Sequence, residues 1–114
     1  MIINETNKIK LCDYIEYRTS YLSKAIGLMF SKKRKKALVF VFKEEKIISL
    51  HMFFVFYPID VLWLDKEKRV VQLKENFRPF RIVLAGKPAK YIIELPNNTI
   101  KKSHTRIGDT ISFK

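Results

Sequence analysis

Two carboxylates of this 114-residue chain sit in apolar surroundings: Asp60 in Pro58-Ile59-Asp60-Val61-Leu62-Trp63, and Glu94 in Ile92-Ile93-Glu94-Leu95-Pro96. A carboxylate taken out of water is costly unless it accepts hydrogen bonds. If both line one pocket, their protonation can be pushed apart, so that one serves as acid and the other as base. The substrate is then small and carbohydrate-like, with the carboxyls about 5 to 10 Å apart if the chemistry is glycosidic. The competing use is structural. Asp60, two residues after Pro58, can accept backbone N–H groups of the preceding turn, and Glu94 can pair with a lysine or arginine. Structural partners also perturb carboxylates, and the pattern favours this second use.

The segment Met52-Phe53-Phe54-Val55-Phe56-Tyr57 is apolar without strict alternation. Three uses fit it: an aromatic-lined ligand pocket, an interface with a second copy, or a strand buried on both faces. As a pocket it groups Met52, Phe54, Asp60 and Trp63, with Glu94 close by. Lys32-Lys33-Arg34-Lys35-Lys36 is a run of consecutive cations. Such a run can hold the phosphate backbone of a nucleic acid, or it can be a solvated loop without a partner, which the pattern favours. Single-strand binding also wants aromatics beside the cations. Phe30, and Phe77 and Phe80 interleaved with Arg78 and Arg81, are the candidates, unless they belong to the core.

Other chemistry is missing. No glycine-rich phosphate loop follows a strand, and no HExxH, metal-type Cys/His spacing or G-x-S-x-G elbow occurs. His51 and His104 stand apart. Cys12 is the single cysteine, which excludes an intramolecular disulfide and a multi-cysteine metal site. It reads as a small buried apolar group. No metal and no cofactor is expected.

The net charge of +12 and the pI of about 9.9 suit a polyanionic partner such as nucleic acid or anionic lipid headgroups. The charge is spread along the chain, however, and spread charge also serves solubility, the blander reading. The N-terminus lacks a basic head followed by an apolar run, so no secretory signal is read. The longest apolar stretch, Ile47–Ile59, is interrupted, and it is shorter than the roughly 18 residues of a membrane helix. A soluble cytoplasmic protein of one domain, residues 1–114, is expected, with no membrane insertion.

Positioning falls to short strands. Lys8–Arg18 alternates with period two. Thr19 or Ser20 caps an apolar helical stripe from Tyr21 to Met29. Strands are expected at Ala37–Phe42, Ile47–Phe54, Asp60–Leu64, Arg69–Leu73, Arg81–Leu84, Tyr91–Leu95 and Thr110–Phe113, with Lys43–Lys46 as a polar turn. Asp60–Leu64 and Arg69–Leu73 form the clearest hairpin. Thr99–His104 is a single helical turn. The sum is a mainly-β antiparallel sandwich or barrel of about eight short strands, with one short N-terminal helix packed on it.

In order along the chain come Gly27-Leu28-Met29, Leu38-Val39-Phe40-Val41-Phe42, Met52 with Pro58-Ile59-Asp60, then Trp63, Glu94-Leu95-Pro96 and Gly108-Asp109. This ordered set resembles the family known as domain of unknown function 192, from about Thr19 to the C-terminus. The resemblance implies a small mainly-β domain with the first helix on the sheets, and no established activity. It marks Gly27, Met29, Met52, Pro58, Asp60, Glu94, Gly108 and Asp109 as motif positions. Ser31 stands where the family usually has Arg, Phe54-Val55 where it often has Asn-Thr, and Asn98 where it usually has Gly. The first two departures remove polar groups, and leave Asp60 and Glu94 as what remains of a shared polar site. The leading expectation is therefore a non-enzymatic binding or accessory domain with a partly apolar pocket near Met52–Asp60. Nucleic-acid binding through Lys32–Lys36 and carbohydrate chemistry through Asp60 and Glu94 are the alternatives.

Overall fold

The computed structural model describes residues 1–18, 36–48, 50–51, 57–78 and 81–114. Its elements among these residues are β1 (Ile2–Asn4), β2 (Ile9–Cys12), β3 (Tyr14–Arg18), β4 (Lys36–Lys46), β5 (Leu50–His51), β6 (Ile59–Leu64), β7 (Val70–Phe77), β8 (Ile82–Val83), β9 (Ala89–Pro96), the helix α1 (Thr99–Ser103) and β10 (Ile111–Phe113). The helix expected from Thr19 or Ser20 to Met29 lies outside the described residues; α1 is near the C-terminus.

The main sheet has the order β3-β4-β9-β6-β7. Among the described residues its end strands β3 and β7 do not pair with each other, so the barrel is not formed. It is also not purely antiparallel, because β3 runs parallel to β4. A parallel pair needs a crossover of a dozen or more residues, and the chain between these strands, residues 19–35, is that long. A three-stranded sheet, β10-β1-β2, and a two-stranded ladder, β5-β8, complete the set.

All six residues of β6 are buried. The strand lies between β9 and β7, and both faces of the sheet are covered. Alternation along the strands divides the core in two. Ala37, Val39, Leu62, Leu64, Ile93 and Leu95 meet Ile2, Cys12 and Ile111 of the three-stranded sheet. On the other face Leu38, Phe40, Val61, Trp63 and Ile92 pack with Ile48 and Phe77. Strands buried on both sides read as continuous apolar runs, which is the pattern of Leu38–Phe42 and Val61–Leu64.

Differences from the sequence reading have local causes. The expected turn at Lys43–Lys46 is the exposed end of β4, whose pairing with β9 resumes at Lys46–Ala89 after a register shift. The strand β1, central in the three-stranded sheet, has only three residues, too few to show a period. The β6–β7 hairpin forms as expected. Its turn is built by Asp65, whose Oδ1 accepts the N–H groups of Glu67 and Arg69, both at 2.9 Å. Lys68 takes the left-handed conformation there, with φ 64°.

Asn98 precedes α1 with φ 73°. A side chain is tolerated here mainly because asparagine visits this region. Asn98→Gly, the residue of the resembling family, is expected to stabilise the protein by about 0.5 kcal/mol, and Asn98→Val to destabilise it by about 1 kcal/mol or more. Thermal unfolding of both variants checks this pair of signs.

Candidate functional site

Asp60 is fully buried. Its Oδ1 accepts the Asn76 N–H at 2.9 Å, and its Oδ2 accepts the Ile100 N–H at 2.8 Å. Both bonds resolve local problems. In β7, the ladder pairs Ile59 with Phe77 but Val61 with Lys74. Three steps on β7 thus face two on β6, a bulge, and Asn76 in it has φ 50°. Asp60 satisfies the amide that the bulge frees from the ladder. At α1, Asn98 makes no side-chain cap and the first turn has no acidic residue. Asp60 supplies the missing acceptor from across the fold, as an N-cap side chain does.

Glu94 is also buried, at 4 % exposure. Its register partners are Leu38 and Val61. Asp60 pairs with Leu95 instead. Cross-strand partners share a face and successive residues alternate, so the two carboxyls point to opposite sides of one sheet. The structure does not bring them together in a single pocket. An acid–base pair across one cleft needs both on one side, so the carbohydrate-type arrangement is not built.

Trp63 is core rather than pocket wall: it is fully buried, and its indole Nε1 donates to the Ile48 carbonyl at 2.9 Å. Met52 and Phe54 lie outside the described residues. So do Lys32, Lys33, Arg34 and Lys35 of the cationic run, along with Phe30 and Phe80. Lys36 pairs with Glu16 at 3.2 Å, which ties β4 to β3. Cys12 is buried, and its thiol donates to the Tyr14 carbonyl at 3.4 Å.

A second buried polar cluster has no counterpart in the sequence reading. Asn4 donates through Nδ2 to Thr105 Oγ1 (3.2 Å) and to Asp109 Oδ2 (2.8 Å), while its Oδ1 accepts the amides of Thr6 and Asn7. Asp109 Oδ2 also accepts the Arg106 N–H at 2.9 Å. Gly108, with φ 96°, makes the turn that presents Asp109. The motif pair Gly108-Asp109 therefore locks the N-terminal strand to the C-terminal one. Its members lie about a hundred residues apart in the chain, and nothing local announces their meeting.

An open surface groove of about 490 Å³ runs along the end of β7, lined by residues 74–78 and 81–83. Lys74, Arg78 and Arg81 bring three positive charges to it, against one from Glu75. Ile82 and Val83 form an apolar side. Phe77 is fully buried, so it is core and not a stacking platform. Gln72 holds the two walls together, donating to the Leu84 carbonyl at 3.1 Å and accepting the Gly86 N–H at 3.0 Å. The bulge held by Asp60 lies directly in the lining. The sequence signal was Arg78 and Arg81 beside Phe77; the bulge that turns Lys74 to the same side as Phe77 was not readable. Among the described residues, no three His, Cys, Asp or Glu side chains gather as a metal site, and no helix is long and apolar enough to cross a membrane.

Fold and surface together describe a mainly-β domain with a cationic groove and two buried acids on opposite faces of one sheet, one of them bonded to backbone amides. The chain belongs to the family of domain of unknown function 192, described as "Uncharacterized ACR", which matches residues 2–113. It is similar to the UPF0127 protein TK1120 of Thermococcus kodakarensis, with 40% identity over 121 residues, covering 99% of this chain and 73% of that protein. The UPF0127 protein PH1112 of Pyrococcus horikoshii is 36% identical and covers 99% of this chain and 98% of its own. Among solved structures, a protein of unknown function from Novosphingobium aromaticivorans superposes with a TM-score of 0.77 at 18% identity, covering 87% of this chain and 74% of that one. A protein from Sinorhizobium meliloti, described provisionally as a transcription regulator, gives 0.79 at 22% identity, covering 86% and 79%. At these identities the likeness is one of fold.

Proposed function

We propose that residues 1–114 form one non-enzymatic binding domain, a two-layer β-sandwich whose ligand seat is the groove at the end of β7. The observation that carries this reading is the placement of the buried acids. Asp60 spends both oxygens on backbone amides, and Glu94 faces the other side of the sheet. Neither is placed to exchange protons with a common substrate, while the groove is open and walled by charge. Phe77 of its floor pairs with Ile59, which is the described link from this seat to the pocket expected near Met52–Asp60. Asp60 then shapes the seat without touching the ligand.

The test is an amide-shift titration of the folded protein with a panel of small neutral and anionic compounds. Saturable shifts are expected at residues 74–78 and 81–83. A panel that moves only amides elsewhere, or none, sinks the reading.

A further inference from the structure

We propose that this groove takes a phosphate monoester joined to an apolar body. The inference rests on the binding-domain reading above and names its ligand class. Lys74, Arg78 and Arg81 against Glu75 leave a surplus of two positive charges in the lining. A phosphate monoester carries about −1.5 to −2 charges at neutral pH and three strong acceptor oxygens. It matches that surplus, whereas a carboxylate leaves a cation over. Two of the three cations are arginines, whose planar forks grip phosphate oxygens in pairs, and the lysine adds a point charge.

Size and lining supply the rest. At about 490 Å³ the groove holds far more than an inorganic phosphate; it falls within the range of small-molecule sites. Its β8 side offers a smaller apolar surface, with Ile82 exposed and Val83 half-buried against the core. Gln72 ties β7 to the chain after β8, two residues before Lys74, which fixes the two walls relative to each other. The charged head therefore sits by the arginines and the apolar body lies along β8.

The same chemistry occurs in soluble esters and in lipid headgroups, and the experiment separates them. Phenyl phosphate, phenol and vesicles containing phosphatidic acid are titrated separately against the full chain, with amide shifts as readout. Phenyl phosphate, the vesicles or both are expected to move residues 74–78 and 81–83, and which of them does so identifies the source. The affinity should weaken with salt. It should fall about tenfold in Arg78→Gln and again in Arg81→Gln, the loss of one charged hydrogen bond each. Both side chains are exposed, so the variants should unfold at the parent temperature, and Lys101→Gln on α1 should bind as the parent does. If phenol moves the groove amides as strongly as phenyl phosphate, the phosphate inference fails and the binding domain stands. If neither compound nor the vesicles move them, both fall.

Discussion

Asp60→Ala is expected to lower the unfolding free energy by roughly 3–5 kcal/mol, a large part of the 5–15 kcal/mol typical of a domain. The substitution removes two charged hydrogen bonds at once, to Asn76 N–H and Ile100 N–H. Each is worth about 1.5–3 kcal/mol when the acceptor is ionised. The relief of a buried charge offsets part of this loss, so the sum stays near the lower half of the added values. Asp60→Asn keeps the shape but turns one acceptor into an NH₂ group facing an amide donor. It should cost about 2–3 kcal/mol. Urea unfolding measures both numbers, and hydrogen exchange at Asn76 and Ile100 locates them. Protection at these two amides should fall before that of the β4–β9 ladder. A stable Asp60→Ala protein, within about 0.5 kcal/mol of the parent, would overturn the assignment.

The same variant separates two roles for Asp60. A ligand-contacting carboxylate can be replaced by Asn with little loss of stability and a large loss of binding. A positioning carboxylate behaves differently: Asp60→Asn weakens the bulge at Asn76, loosens the groove and lowers stability together. Rescue follows the same logic. Asp60→Glu should restore neither property, because the longer side chain does not fit between β7 and α1 in a fully buried place.

Much of the sheet was legible because its signal is local. Val61–Leu64 and Leu38–Phe42 are apolar runs that must be covered on both faces, and the Asp65–Arg69 turn has its acceptor in the turn itself. Asp60 was legible as a buried acid serving backbone amides, since an unpaired carboxylate is too costly to leave in such a segment. Its partners were not: they lie 16 and 40 positions away. The separation of Asp60 from Glu94 was hidden for another reason. It depends on the register of β6 against β9, and a one-residue slip sends a side chain to the other face. The parallel pairing of β3 with β4 depends on how residues 19–35 cross, which no period-two count contains. The groove joins β7 to the β8 segment through a bulge and a glutamine bridge, so its charges look scattered in the sequence.

Trp63 gives the second large effect. Trp63→Ala should destabilise the protein by about 3–5 kcal/mol, the cost of emptying a fully packed aromatic site. Trp63→Phe should cost about 1–3 kcal/mol, because it keeps a ring but strands the Ile48 carbonyl, which now accepts the indole N–H at 2.9 Å. Leu38, Phe40, Val61 and Phe77 share its face and cannot close the space without moving three strands. As the single tryptophan, Trp63 also reports on itself. A fully buried indole should emit at short wavelength and resist quenching by iodide until the protein unfolds. A pocket-lining tryptophan would behave otherwise: ligand would shift its emission, and Trp63→Phe would impair binding without impairing stability. Stability loss without a ligand-induced change in emission is therefore the pair of results expected for Trp63, whose layer also holds Phe77 of the groove floor; stability loss with a loosened groove is expected for Asp60. The two residues are neighbours on one strand, three positions apart, and they face opposite layers of the core. Comparing their variants separates two ways of supporting the groove: Asp60 through the Asn76 amide of the bulge, and Trp63 through the core layer on which Phe77 and Val83 pack.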